Sequence, residues 1–510
     1  MTALTPRLSY LPHIDGLRAI AVLSVVIYHL HAAWLPGGFA GVDVFFVISG
    51  FIVSASVGSL QHSNLLTFMA FFYARRLQRI APALVACLLV TFLASAIFIP
   101  SAWLSEANQR TGLYAFFGDS NFILAKFNND YFSPVSDFNP YTHTWSLGVE
   151  EQFYFVFPLL FFAWISNRKW RGLTVALFAA ALLTSLAYSS YLGQTNKTLA
   201  FYMLSSRFWE LAAGVLLYQA MRLAGLPFDG SVRRLPAWTG WVEIISLALI
   251  AYAFFTAEAA SFSFPGAAPV VLGTLGLLWA MHGQRPDHPL TAVLTARPVV
   301  FVGKISYSLY LWHWPTFVLF RWTVGLDSTI CRIAAVLLAF SFAIISYFLI
   351  ENSIRHLAVL RHKPRYVVVS IGVGMIALAT VVSKQIENNK SSISISKVTR
   401  HANDWYPDRF DAGAVSSACI LHTERTSMGA DFEMTYTRSN CATPVKAPKV
   451  YVIGDSHAMA YEAMLKGYVL ATGSPVTIYN NGGCPFLSTT VVFHGALARR
   501  CQWHIIAMAW

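Results

Sequence analysis

Charge is scarce in this chain. Only 12% of its 510 residues are Asp, Glu, Lys or Arg, against about 25% in an ordinary soluble domain. That excludes a typical cytoplasmic globule and a disordered chain, which needs low hydrophobicity and high charge. Cysteine is scarce too: six residues in a chain of this length exclude a small disulfide scaffold. Acidic residues are the rarer sign, 24 against 36 basic, for a net charge of +12. What fills the chain is apolar: 56% hydrophobic and 15% aromatic residues, with a mean hydropathy of +0.53. The composition is that of a polytopic membrane protein, and the basic residues are topological signals for which no nucleic acid is needed.

A span needs about 20 mainly apolar residues. Eleven stretches qualify: Ile14–Trp34, Gly41–Leu60, Ile80–Ile99, Val149–Ile165, Leu173–Leu192, Leu199–Ala220, Trp241–Ala257, Ala267–Met281, Val299–Phe320, Ile333–Ile350 and Tyr366–Val382. All are read as helices, since lipid leaves only helices and closed barrels. Gly112–Phe127 is interrupted by Asp119, Asn121 and Lys126 and is left out. The first apolar run carries His29 and no clear small-residue cleavage site follows it, so it is read as a span and no cleavable signal is assigned. With the N-terminus inside, 18 Lys and Arg up to residue 365 fall on the cytoplasmic side and 6 on the other. This positive-inside bias places the C-terminus outside.

Beyond Lys384 the chain turns polar. Residues 385–445 read as an extracytoplasmic linker, and residues 446–510 as the start of an α/β domain: strand Val450–Ile453, helix Ala458–Leu470, strand Pro475–Tyr479. Cys419, Cys441, Cys484 and Cys501 all lie on this outer side, where two disulfides are expected. Four cysteines allow three connectivities, of which Cys419–Cys441 with Cys484–Cys501 is preferred. Their spacing lacks a CxxC, so no metal site is assigned.

Ionisable groups inside spans are costly and stand out as functional candidates. The first span opens His13-Ile-Asp15-Gly-Leu-Arg18 and contains His29. Arg18 and His29, eleven residues apart, share one helix face about 16 Å apart and line one track without touching. A histidine in the bilayer is disfavoured as a cation and suited to accept a proton. A histidine hydrogen-bonded between helices is the other reading of His29. Arg75, Arg76 and Arg79 crowd the mouth of the third span, as phosphate ligands or as plain topological anchors. Glu150 and Glu151, in His143-Thr-Trp-Ser-Leu-Gly-Val-Glu-Glu-Gln, enter a span together, so at least one must meet a cation or water. Ser306 to Pro315 places His313 in an aromatic run, read as an interfacial belt. Near the end, Gly454-Asp-Ser456-His closes a strand. There Ser456 is either a nucleophile or a helix N-cap, and Gly482 or Gly483 could offer an oxyanion donor.

Taken in order, these stretches resemble the membrane acyltransferase family 3. The resemblance runs from about Tyr10 to Ile354 and is carried by His13–Arg18 with His29, by Gly38–Phe51, by Arg76-x-x-Arg79, by Thr144–Tyr154 and by Ser306–Pro315. It implies transfer of an acyl group, usually acetyl, from cytoplasmic acyl-CoA to a hydroxyl of an extracytoplasmic glycan such as lipopolysaccharide O-antigen. It also implies that Arg18 and His29 are essential, with His29 as base or acyl relay. Asp15, Glu150 and Glu151 join them as catalytic candidates, and Arg75, Arg76 and Arg79 hold the donor's phosphates. No cofactor is permanently bound; acetyl-CoA is the donor substrate. The C-terminal part resembles an SGNH-type domain with Ser456 as its nucleophile. Its pattern requires a later Asp-x-x-His, yet no Asp occurs among the 54 residues after Ser456. This copy of the domain is therefore expected to be truncated and without its base.

The expected protein is a multi-pass bacterial inner-membrane acyltransferase with about ten helices in residues 1–355. One linking helix follows in 356–384, then the linker, then a partial α/β domain outside. A transporter or flippase is the alternative, and it would favour internal hydropathy repeats, which the sequence lacks.

Overall fold

The computed structural model describes residues 10–60, 64–127, 134–229, 231–232, 236, 238–258, 262–361, 363–401, 420–428, 431–439, 448–454, 458–459 and 461–480. The chain divides into two compact units, residues 1–400 and 401–510.

The first unit is helical. Its principal helices are α1 (Pro12–Leu30), α2 (Gly41–Val57), α3 (Leu65–Phe98), α4 (Thr144–Ser166), α5 (Arg171–Thr195), α6 (Leu204–Leu223), α7 (Thr239–Thr256), α8 (Ala268–Ala280), α9 (Arg297–Trp322), α10 (Thr329–Ser346) and α11 (Arg365–Asn388). Each of the eleven predicted stretches coincides with one of them. Among the described residues, eight helices are long and apolar enough by themselves to cross a membrane. Three predicted spans fall short for separate reasons. The principal helix in Leu199–Ala220 starts only after the extended Met203, where the Ser206 hydroxyl caps the carbonyls of Ala200 at 2.8 Å and Met203 at 2.9 Å. That helix, α6, though 20 residues long, carries Arg207, Glu210 and Arg222. α8 has only 13 residues, and α9 carries Lys304, Arg321 and a run of polar side chains. The stretch left out, Gly112–Phe127, forms two short helices, Glu106–Ala115 and Ser120–Lys126.

α3 begins at Asn64, whose side chain accepts the Thr67 N–H at 3.1 Å. Its 34 residues make about 51 Å of helix, more than the roughly 30 Å of a hydrocarbon core. Its first turns, with the arginines, therefore lie toward one end of the bundle.

Glycines set the closest crossings. A Cβ on Gly50 of α2 would meet the Leu211 carbonyl oxygen at 1.9 Å, and one on Gly214 of α6 would meet that of Val47 at 2.1 Å. The two glycines lie at one crossing of touching backbones, and the pairs Asp43 with Arg207 and Gly58 with Tyr218, which run in the same order, make α2 and α6 parallel. Gly303 of α9 lies in the same way on the Asp15 carbonyl of α1, at 1.9 Å. The pairs Asp15 with Gly303 and His29 with His313 run in the same order, so α1 and α9 are parallel too. Alternating spans require that of the first with the ninth and of the second with the sixth. After α10 the helix widens into a π turn, Tyr347–Asn352, which brings Glu351 inward onto the Ser308 hydroxyl at 3.1 Å.

The second unit is a four-stranded sheet in which β1 (Ile420–Met428), β2 (Asp431–Ser439), β4 (Val476–Asn480) and β3 (Val450–Gly454) lie side by side in that order, with α12 (Glu462–Thr472) against it. β3 (Val450–Gly454) and β4 (Val476–Asn480) are parallel, joined through α12 as the strand-helix-strand reading expected. α12 ends at Gly473, whose φ of 80° lies in the left-handed region that favours glycine. Tyr436, Leu465, Val469, Val476 and Ile478 form the core. One expectation is corrected here. Residues 420–428 and 431–439, read as linker, form the antiparallel strand pair β1 (Ile420–Met428) and β2 (Asp431–Ser439), and β2 pairs with β4. β2 alternates Phe432, Met434 and Tyr436 with polar residues, the period of a half-buried strand. The surrounding Ser and Thr content masks that pattern.

Candidate functional site

A cavity opens among α1, α2, α3, α4 and α9. It encloses about 770 Å³ including its mouth, and Arg18, Arg76, Arg79, Ser49, Glu150, Tyr154, Ser146 and Tyr310 are among its lining residues. Three guanidinium groups face one carboxylate, so the cavity favours an anion. Arg76 is held over the ring of Tyr154 at 5.0 Å and that of Phe72 at 5.5 Å, which fixes its plane. Ser49 donates its hydroxyl to Glu150.

The sequence-derived residues separate here. Arg75, adjacent to Arg76, is exposed, does not line the cavity and lies over Phe71 at 5.3 Å. Successive helical side chains diverge by about 100°, so the run Arg75-Arg76 cannot present both to one cavity. Glu151 parts from Glu150 for the same reason: it lies toward the Gly118 turn, where a Cβ on Gly118 would be 3.0 Å from its own. Asp15 is not in the lining either. It pairs with Arg18 at 3.6 Å and accepts from Tyr10 at 2.7 Å, bracing the arginine from the helix start.

At the inner end of the cavity the Ser146 and Tyr310 hydroxyls meet at 2.6 Å, and Tyr310 donates to the His143 carbonyl at 2.9 Å. Beyond Tyr310, its ring centre 5.5 Å away, is His313. There the second half of the expected track appears. His29, buried in the last turn of α1, has Nδ1 3.0 Å from His313 Nε2, and His313 Nδ1 lies 3.1 Å from the Leu309 carbonyl oxygen. The Trp314 ring meets His29 edge-on at 4.5 Å. Arg321 donates to the His29 carbonyl at 2.7 Å and to that of Asp137 at 3.0 Å. Arg18 and His29 therefore occupy the two ends of one helix: Arg18 at the cavity, His29 outside its lining in a histidine-aromatic cluster. The reading of His313 as a membrane-interface residue is corrected, since it is fully buried.

The sequence reading also missed an ion triad. Arg207 Nη1 donates to Asp43 at 2.8 Å and Glu210 at 2.9 Å, all three side chains about 1% exposed or less. The rings of Trp145, Phe201 and Phe262 surround the guanidinium at 5.4, 4.9 and 4.8 Å. Two opposite charges three residues apart in an apolar run, Arg207 and Glu210, were the available signal.

Ser456, Gly482, Gly483 and the cysteines Cys419, Cys441, Cys484 and Cys501 lie outside the described residues. β3 leads up to Ser456 and ends at Gly454. Among the described residues no group of three or more His, Cys, Asp or Glu is arranged to hold a metal ion.

Comparison with known proteins agrees with this layout. A model of an acyltransferase domain matches residues 11–351, and a model of an SGNH domain, of the kind fused to such acyltransferase domains, matches residues 421–510. The chain is 32% identical over 357 residues to the O-acetyltransferase OatA of Staphylococcus aureus, covering 69% of this chain and 58% of the relative. It is 30% identical over 317 residues to the peptidoglycan O-acetyltransferase OatA of Listeria monocytogenes, covering 60% of this chain and 49% of the relative. The chain thus spans about half to three fifths of the length of these curated relatives. No solved structure matches it. With one family model spanning the helical unit and the other the sheet, the chain belongs to the membrane acyltransferase family 3, in the branch whose acyltransferase domain is fused to an SGNH domain.

Proposed function

We propose that this protein is a membrane O-acetyltransferase that moves an acetyl group from cytoplasmic acetyl-CoA to a hydroxyl of an envelope glycan on the other side. One observation carries the reading: a single helix, α1, bears an arginine in an anion-favouring cavity at one end and a buried histidine at the other. Arg18, Arg76 and Arg79 bind donor phosphates through charge-assisted hydrogen bonds. His29 takes the proton of the acceptor hydroxyl as the new ester bond forms and the thioester carbon–sulfur bond breaks. The thiolate leaves with the coenzyme and is protonated there. Glu150 keeps the arginine cluster from being filled by a second anion, and Asp15 positions Arg18.

The orientation, N-terminus inside and C-terminal domain outside, rests on the excess of basic residues in the inner loops. The acceptor is an envelope glycan. Peptidoglycan is what the name of the Listeria relative carries, and O-antigen polysaccharide is what the sequence resemblance suggests. Ser456 of the SGNH-type domain has no step in this scheme.

The test is base-labile acetyl on both glycans from cells expressing the parent or His29→Ala at matched membrane levels. The parent should acetylate one of them and the variant neither. Equal acetyl from both proteins would refute the scheme.

A further inference from the structure

The hydrogen bonds around His29 determine which of its ring nitrogens can act. His313, fully buried on α9, has Nδ1 3.1 Å from the carbonyl oxygen of Leu309 one turn earlier. A carbonyl oxygen only accepts, so this nitrogen carries the hydrogen. In a neutral imidazole the second nitrogen is then an acceptor. That nitrogen, Nε2, lies 3.0 Å from His29 Nδ1, which therefore donates. His29 Nε2 is left as the ring nitrogen with the lone pair. The ring is also held in place: Trp314 meets it edge-on at 4.5 Å, with its own indole N–H on the Asn139 carbonyl at 2.8 Å. Arg321 fixes the His29 backbone.

We infer that His313 is a positioning residue that sets the tautomer of His29, so that Nε2 is the nitrogen that takes the acceptor's proton. The inference rests on the reading of His29 as the base. The balance is simple. The hydroxyl O–H breaks and an N–H forms at His29 Nε2, while the hydroxyl oxygen takes the acyl carbon from the thioester sulfur. The resulting imidazolium keeps Nδ1–H on His313. If that proton moves across, both N–H groups of His313 still have acceptors, Leu309 O and His29 Nδ1. A neutral histidine thus fills the place that a carboxylate occupies behind the histidine of a hydrolase triad. The pair can hold one extra proton without burying an additional negative charge.

Three substitutions separate this role from packing. Leu at 313 removes both nitrogens. Asn supplies an amide near Nδ1, able to bond Leu309 but short of His29. Gln reaches the Nε2 position with an oxygen that can accept from His29. The assay is the initial rate of base-labile acetyl formation on envelope polysaccharide in membrane vesicles supplied with acetyl-CoA, using the full chain quantified in the membrane. His313→Leu and His313→Asn should lower kcat by about 100-fold with the KM for acetyl-CoA within about twofold. His313→Gln should stay within about tenfold of the parent. A kcat for His313→Leu or His313→Asn within twofold of the parent, in a series where His29→Ala is dead, overturns the inference. So does His313→Gln as poor as His313→Asn at equal membrane levels. If the Leu protein is absent from the membrane, the Asn and Gln pair decides. An inactive parent, or an active His29→Ala, refutes instead the function on which the inference rests.

Discussion

Arg207 gives the sharpest test of how the helical unit is held together. Its guanidinium, about 1% exposed, is shared by Asp43 of α2 and Glu210 of its own helix α6. Among the described residues Asp43 Oδ2 and Glu210 Oε2 have no hydrogen-bond partner outside the triad, so these carboxyls depend on the arginine for most of their compensation. Arg207→Met keeps the volume and the aromatic contacts but leaves two carboxyls facing each other in an apolar interior. Removing one partner of a buried pair typically costs about 3–5 kcal/mol, because the remaining charge stays buried. At about 2–4 °C per kcal/mol, the melting temperature should fall by roughly 10 °C. The triple variant Asp43→Asn, Arg207→Met, Glu210→Gln removes the charge altogether and should recover most of the loss, since neutralised groups of similar shape are often tolerated. Melting is followed in detergent by loss of the monodisperse peak on size exclusion after heating. If Arg207→Met melts within 2 °C of the parent, or if the triple variant melts lower than the single one, the triad does not clamp α2 to α6 as argued.

Other expectations follow from the same geometry. Arg76→Met and Arg79→Met should each raise the KM for acetyl-CoA about 10- to 100-fold, the loss of one charge-assisted hydrogen bond of about 1.5–3 kcal/mol, with a smaller effect on kcat. Arg75→Met, outside the cavity, should leave KM within about twofold; steady-state kinetics on one membrane preparation decides among the three. Gly214→Leu should prevent accumulation of folded protein, because even its Cβ would lie 2.1 Å from the Val47 carbonyl oxygen, and in-gel fluorescence of a tagged chain reads this directly. In the second unit, burial opposes ionisation of Glu462, but hydrogen bonds from Lys466 and Tyr436 outweigh it and hold its carboxyl below the usual range. The stabilisation is therefore present at neutral pH and lost as pH falls through the folded value. Glu462→Gln should weaken α12 by about 0.5–1 kcal/mol at pH 7. Hydrogen exchange of the 462–472 amides in parent and variant, compared at each pH, should show the gap closing in acid.

Much of this architecture is legible in the sequence, because apolar runs bounded by charge report the bilayer directly. What it does not report is which faces meet. Glu150 and Glu151 are equivalent in sequence and diverge only because a helix turns by about 100° per residue. Arg207 lies within the predicted span Leu199–Ala220, but nothing local in the sequence says that it turns toward Asp43 of α2 inside the bundle. His313 sits in a run of Tyr and Trp with the composition of an interfacial belt. Its burial against His29 follows from the pairing of two helices 284 residues apart in the chain, which no local pattern encodes. The β1–β2 strand pair was hidden for the opposite reason: its alternation is real, but three apolar residues among threonines and serines carry too little contrast.

The pairing of α1 with α9 is what makes the two ends of α1 one site. Gly303 seats the start of α9 on the carbonyl of Asp15, the residue that braces Arg18. Ten residues later His313 meets His29, and Arg321 closes the far end on the His29 carbonyl. Contacts at both ends fix the register of the two helices, so the distance between Arg18 and His29, about 16 Å along the helix, is not free to shorten when donor binds. In the proposed reaction the chemistry must then travel along the helix. The straightest route from the arginine cavity to His29 passes the Ser146–Tyr310 contact at its inner end, with the His313 ring just beyond. Breaking the two hydrogen bonds of the Tyr310 hydroxyl, to Ser146 and to the His143 carbonyl, and turning its ring are smaller motions than sliding α1 along α9, because they leave the Gly303 and His313 contacts intact. In that reaction the Tyr310 ring therefore stands between the donor cavity and the base, and it is the side chain that must turn to join them.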